Sequence, residues 1–406
     1  MTYRRAAIPA LAGGLLLTAL LWWAGAGVNA LHLQGTADVI GGRAAAELEH
    51  WLTPWSYDPP DSVRLGTAVL GGIGDTAVTD GSRYLALYET AMQIRFAAVF
   101  AFFVPGALLL LRRLPPVNGR MPVSLLAVWA WGMVAGTLAA TLSAPWVIAS
   151  HGRGSYRFLP QLAGMMSSGR QILVLAAFVA AVVTVLTARV TAKGAGELPR
   201  AAVPARAAHL AAAVGTAAVA LSLVVLSYQP VAASIQRVSL SGRLMSEPGD
   251  FLRQWLLLGG WAGPAGTPVG HWLLYRAADV LLLAVVWCGL RWLPGMLTRA
   301  TVPAMAAGAV CATVIGLLAN QLWQMAVTGT DSGMRWGLVQ LSGGLGGGVP
   351  AALTWGLVAG VLAALTLRLA GGGHAETDGS LAPAPPAVLP DPPATAPTAL
   401  PDRPAG

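Results

Sequence analysis

Asp279 is the one carboxylate that falls inside a long apolar stretch of this chain, and Arg276 lies three residues before it. On a helix the two share a face, the spacing at which side chains of opposite charge meet. Ionisable side chains at membrane depth are costly and are functional candidates by default. Two readings stay open for the pair: a local ion pair near the end of the stretch, or a contact for an ion or a substrate. Asn320 and Gln324, four residues apart, also share a face, with Gln321 beside them. Amides in such stretches join helices to one another, or they line a polar path.

Gln161 and Gln340 complete the candidate set. Each lies in a short apolar segment that carries glycine, Leu159-x-Gln161-Leu162-x-Gly164 and Leu338-x-Gln340-Leu341-x-Gly343. The second runs on into Gly344-Leu345-Gly346-Gly347-Gly348. Such segments read as flexible outer loops, or as re-entrant loops that turn backbone carbonyls toward a cavity. An amide there binds its own loop or a ligand. In the re-entrant case the two side chains are expected to approach a central axis from opposite sides.

Other chemistry finds no foothold. The phosphate-binding loop, the nucleophile elbow and the HExxH zinc motif do not occur. The six histidines stand apart, without metal-ligand spacing. Cys288 and Cys311 fall at different depths of different apolar stretches, which makes a disulfide unexpected, and they read as small packing residues. No cofactor is expected. The net charge of +8 does not imply a nucleic-acid partner, because the 25 basic residues are scattered singly or in pairs with no basic stripe.

The elements that must position these residues follow from composition. Of the 406 residues 55% are hydrophobic and 10% charged, against about 25% charged in soluble domains. A membrane core needs roughly 20 apolar residues in a helix. Eight segments qualify: 7–30, 94–111, 122–150, 171–189, 207–227, 272–290, 302–327 and 350–368. The expected fold is therefore an all-α integral membrane protein with about eight transmembrane helices, its principal partner the lipid bilayer.

Sliding the sequence on itself by about 179 residues gives a gap-free match. Leu111-Arg112-x-Leu114-Pro115 meets Leu290-Arg291-x-Leu293-Pro294, Arg120 meets Arg299, Gln161 meets Gln340, and Leu186-Thr187-x-Arg189 meets Leu365-Thr366-x-Arg368. Coincidences of Leu are cheap; coincidences of Arg, Gln, Pro and Gly at one offset are not. The chain is expected to hold two parallel four-helix repeats, 1–192 with an outer loop at 31–93 and 200–370 with an outer loop at 228–271, followed by a Pro/Ala-rich disordered cytoplasmic tail, 371–406. Four spans per copy bring both copies in from the same side, related by an axis along the membrane normal. Within the outer loops, 43–52 and 250–258 read as short amphipathic helices. Trp51, Trp55, Trp255 and Trp261 there read as anchors at the headgroup level.

The short connections 112–121, 190–206 and 291–301, with the N-terminus, carry dense Arg, while the other connections dilute their basic residues with acids. The positive-inside rule then puts both termini in the cytoplasm. Met1 to Ala30 also resembles a secretory signal; retention as the first span and cleavage after Ala30 both remain open. Lys193 is the sole lysine, a skew that GC-rich codons produce, so a bacterial cytoplasmic membrane is the expected location. Three functions are compatible: a non-catalytic scaffold or accessory subunit of an envelope complex with membrane or envelope protein partners, a transporter or permease component with a path between the repeats, and an enzyme acting on lipid-linked substrates. The scarcity of buried ionisable residues favours the first.

Overall fold

The computed structural model describes residues 3–31, 39, 41–59, 63, 76–116, 119–151, 158–167, 169–192, 204–238, 247–260, 268–298, 300–328 and 334–371. Among them every regular element is helical. In chain order these are α1 (Tyr3–Ala26), α2 (Val28–Leu31), α3 (Gly42–Leu52), α4 (Thr76–Arg113), α5 (Met121–Ser150), α6 (Phe158–Ser167), α7 (Arg170–Thr191), α8 (Ala205–Ala220), α9 (Gln229–Gln236), α10 (Gly249–Leu256), α11 (Val269–Met296), α12 (Val302–Thr328) and α13 (Met334–Gly371). A 3-10 turn at Thr53–Trp55 follows α3, and a π-helical turn at Leu221–Leu226 extends α8. Eight of the described helices are long and apolar enough to cross a membrane: α1, α4, α5, α7, α8 with its π turn, α11, α12 and the greater part of α13.

Helix is the outcome wherever apolar residues run on without water to satisfy the backbone, because each N–H and C=O must then pair within its own segment. The first four long helices pack as a ring, α1 against α4 and α7, and α5 against α4 and α7. The second four do likewise, α8 against α11 and α13, and α12 against α11 and α13. The rings meet through α5 and α7 on one side and α12 and α13 on the other. The innermost helices, α5 and α12, are buried over 72% and 67% of their most apolar windows, against 28–56% for the other spans. One hydrophobic core runs through both rings, joining Val128, Met133 and Val134 to Met305, Val310 and Val314.

Three expectations need correction. The segments holding Gln161 and Gln340 are not loops: Gln161 lies in α6 and the backbone of Gln340 in α13. The glycine run 343–348 continues α13 without a break because its bare faces receive neighbouring side chains. A Cβ on Gly344 would fall 2.5 Å from the Gln321 side chain, and one on Gly346 would fall 2.6 Å from that of Arg170. Packing thus uses the missing side chains, and the backbone needs no turn there. The outer loop expected over 31–93 is also shorter, since α4 begins at Thr76. Hydropathy registers only the apolar part of this helix, and its first turns, with Arg83 and Glu89 exposed, extend past it.

Trp55 is not a surface anchor: only 2% exposed, it lies in the core, and its Nε1 donates to Gly169 O at 2.9 Å. Trp51 and Trp255 are half-buried, and Trp261 lies outside the described residues. The amphipathic helices expected at 43–52 and 250–258 appear as α3 and α10. The tail expected over 371–406 lies outside the described residues beyond Gly371.

Candidate functional site

Four of the six candidate residues form one polar chain. α11 presents Arg276 and Asp279 one turn apart, and Arg276 Nη1 lies 2.8 Å from Asp279 Oδ2. The other carboxylate oxygen, Asp279 Oδ1, accepts from Asn320 Nδ2 at 3.2 Å. Asn320 Oδ1 in turn accepts from Gln324 Nε2 at 2.6 Å. The spacing of i,i+3 on α11 and i,i+4 on α12 puts each pair on one helical face, and the packing of α11 on α12 brings the two faces together. The ion pair is withdrawn from solvent, with side-chain exposures of 17% and 13%. A carboxylate this secluded needs its partners, since an unpaired buried charge is heavily penalised.

This chain lines a cavity of about 830 Å³ at one end of the bundle. Its walls come from both rings. α6 of the first half supplies Pro160, Ala163 and Gly164, while α10 with the segment 257–260 that follows it, α11, α12 and α13 of the second half supply the rest, including Asp250, Arg253, Gln254, Tyr275 and Gln321. Leu317 is among the lining residues, and Leu282, Val286, Val314 and Val349 are buried with it in the hydrophobic core.

The two halves are tied across the cavity mouth. Gln254 Nε2 donates to Ala163 O at 2.8 Å, and Phe251 and Trp255 of α10 pack on Leu159, Leu162 and Met166 of α6. The Gln254 Oε1 is buried and has no hydrogen-bond partner among the described residues. The next wall is held in place by Ser222 in the π turn, which donates to Leu256 O at 2.5 Å and accepts from Leu258 N at 3.2 Å. Trp355 Nε1 also donates to Leu256 O, at 2.8 Å. On α9 and α10 Gln236 bridges two charges, donating to Asp250 Oδ1 at 2.9 Å and accepting from Arg253 Nη1 at 3.4 Å.

Two candidates remain. Gln161 is half-buried on α6 and is not part of the cavity wall, although its neighbour Pro160 is. The side chain of Gln340, and with it the expected approach of the two amides, lies outside the described residues.

Sequence reasoning passed over a second polar cluster, at the corresponding end of the first ring. Arg95, 4% exposed on α4, donates through Nε to Ser143 Oγ at 2.8 Å and through Nη1 to Pro54 O, and its guanidinium lies 5.8 Å from the Trp55 ring. Tyr88 donates to Ser56 O at 2.8 Å. The signal was a lone arginine at the edge of an apolar span; its partners are far away in sequence, and three of these contacts are to backbone or ring atoms that no motif encodes. This cluster fastens the 53–56 segment onto α4 and α5, and no cavity described here adjoins it.

At the opposite end the short connections lock together, Thr298 N donating to Arg113 O at 3.1 Å and Arg120 Nη1 to Met296 O at 2.8 Å. Among the described residues no three His, Cys, Asp or Glu side chains converge as a metal ion would require. Comparison with family models, with curated proteins and with solved structures returns no match.

Proposed function

We propose that this chain is a multi-pass protein of a bacterial cytoplasmic membrane, built as two parallel four-helix repeats, with both termini cytoplasmic, and that it serves as a non-catalytic scaffold or accessory subunit of an envelope complex. The observation that carries the reading is the unbroken core between the halves. Cys311 Sγ on α12 lies 3.3 Å from Ala127 O on α5, and apolar side chains of both rings surround that contact. A seam packed to this depth favours a rigid platform over a path.

The membrane setting is supported by large apolar side chains left exposed around the bundle, among them Trp22, Trp23, Phe178, Leu210, Val280 and Leu369. Water would penalise such a belt, whereas lipid does not. The repeat is supported by the recurrence of neighbour relations in the two rings and by the shared central placement of α5 and α12, which correspond at the 179-residue offset. The basic turns at Arg112, Arg113, Arg120 and Arg291 support a cytoplasmic placement for that end. The cavity would then open outward.

That cavity favours a second reading, a transporter or permease component. A polar vestibule between two halves is what a rocking transporter presents on one side. The readings separate on motion. Spin labels at Leu186→Cys and Leu365→Cys, exposed positions on α7 and α13 related by the repeat offset, report the separation of the halves in nanodiscs, with both native cysteines replaced. A platform gives one narrow distance distribution. Two populations whose ratio shifts with conditions would overturn the scaffold reading in favour of transport.

A further inference from the structure

We propose that the cavity between the halves is a binding site for a neutral, hydroxyl-rich ligand, a saccharide, offered free in solution or carried as a lipid headgroup. The inference goes beyond the scaffold reading and stands whether or not the halves move. It starts from charge. The wall holds two carboxylates, Asp250 and Asp279, and two guanidinium groups, Arg253 and Arg276. All four are engaged: Arg276 with Asp279 directly, and Asp250 with Arg253 through Gln236. The two carboxylates and two guanidinium groups sum to zero, so the wall offers no net counter-charge to an anion or a cation. A neutral ligand needs none.

The pairing cancels charge but leaves hydrogen-bonding capacity. A carboxylate has about four acceptor directions and a guanidinium five donors, so one contact exhausts neither. Asn320, Gln321, Gln324 and Gln254 add planar amides that donate on one side and accept on the other. Planar groups of this kind match the adjacent hydroxyls of a sugar ring, each of which donates once and accepts as well. The order of the chain matters: Arg276, Asp279, Asn320 and Gln324 are already fixed by one another, so little side-chain freedom remains to be lost on binding. Tyr275 supplies an aromatic side chain to the same wall. The volume, about 830 Å³, falls within the roughly 300–1,000 Å³ of small-molecule sites.

The test uses the full chain in nanodiscs, read by intrinsic tryptophan fluorescence and calorimetry. Probes are glucose, maltose and maltotriose in one arm and nanodiscs containing digalactosyl diacylglycerol in the other, with glutamate and lysine as ionic controls. Gly260→Trp fills the cavity from a wall position with no other atom within 4 Å of its Cβ, so the fold should survive. Asp279→Asn keeps the side-chain shape, removes the carboxylate charge and leaves the Arg276 charge uncompensated. The expected result is saturable binding of a neutral saccharide, weakened at least tenfold in both variants while the melting temperature of Gly260→Trp stays at that of the parent. Binding in the free-sugar arm assigns a soluble ligand; binding only with the glycolipid assigns a headgroup. No binding in either arm, binding indifferent to Gly260→Trp, or tighter binding of glutamate or lysine would overturn the proposal. The spin-label distances are read separately, so failure here leaves the scaffold reading in place, and two distance populations there leave the site in place.

Discussion

α12 and α13 pack backbone to backbone at Gly356 and Gly360, and this contact can be measured with one added methyl group. A Cβ at Gly360 would stand 2.4 Å from Ala306 Cα and 2.7 Å from Met305 O, where real Cβ atoms keep beyond 3.0 Å. Nothing soft lies in the way, so Gly360→Ala must push the two helices apart. Overpacking of this kind costs about 1–3 kcal/mol. The change also gains about 1 kcal/mol of helix propensity, since glycine is the poorer helix former. Gly343→Ala on the same helix provides the reference, because its Cβ meets nothing within 4 Å. Both substitutions carry the same backbone gain, so their difference isolates the packing cost, and Gly360→Ala should be the less stable by about 1–3 kcal/mol. Reversible unfolding in mixed micelles, titrated with a denaturing detergent and followed by tryptophan fluorescence, gives both values. Equal stabilities, or a Gly360→Ala protein more stable than Gly343→Ala, would refute the close contact and with it the argument that small residues set the seam of the second ring.

Three other expectations are independent of that contact. Tyr88→Phe removes the hydrogen bond to Ser56 O and should cost about 0.5–1.5 kcal/mol in the same assay. Arg95→Leu leaves Pro54 O and Ser143 Oγ without their donor; it should destabilise by about 1–3 kcal/mol and speed proteolysis within 53–59, and unchanged cleavage there would refute the fastening role. At the Arg95 end of the first ring, burial first and Glu89 second raise the Tyr57 phenol above its ordinary value of 10.0. A raised folded value means that the neutral ring stabilises the fold below the unfolded value, and that this contribution is lost as pH climbs through the folded one. Glu89→Gln should therefore bring the Tyr57 tyrosinate transition, followed by ultraviolet difference titration, to lower pH; an unmoved transition would contradict the assignment.

Much of this architecture was legible because it depends on local rules. Apolar length located the eight long helices, and period marked α3 and α10 as amphipathic. The i,i+3 and i,i+4 spacings found Arg276 with Asp279 and Asn320 with Gln324, but joining the pairs required knowing that α11 packs on α12. Gly343–Gly348 misled for a physical reason: glycine signals a turn in isolation and a close approach in a packed bundle, and only the positions of Arg170 and Gln321 decide between them. Trp55 was misread as a surface anchor, and the role of Arg95 went unseen, because their partners, Gly169 O and Pro54 O, are backbone atoms whose proximity no residue type announces. The cavity itself was out of reach, since its walls come from segments as distant as Pro160 and Gly348.

The placement of the cavity mouth on the outer face of the membrane and of the basic turns on its cytoplasmic face is the claim on which the proposed function depends, and cysteine labelling tests it directly. In a background with Cys288 and Cys311 replaced, Gly260→Cys and Ala300→Cys each put one thiol at an exposed position at opposite ends of the bundle. Intact cells are treated with a membrane-impermeant maleimide, with lysed cells as the control for reactivity. Gly260→Cys is expected to label in intact cells and Ala300→Cys only after lysis. Labelling of Ala300→Cys from outside, with Gly260→Cys protected until lysis, would contradict it.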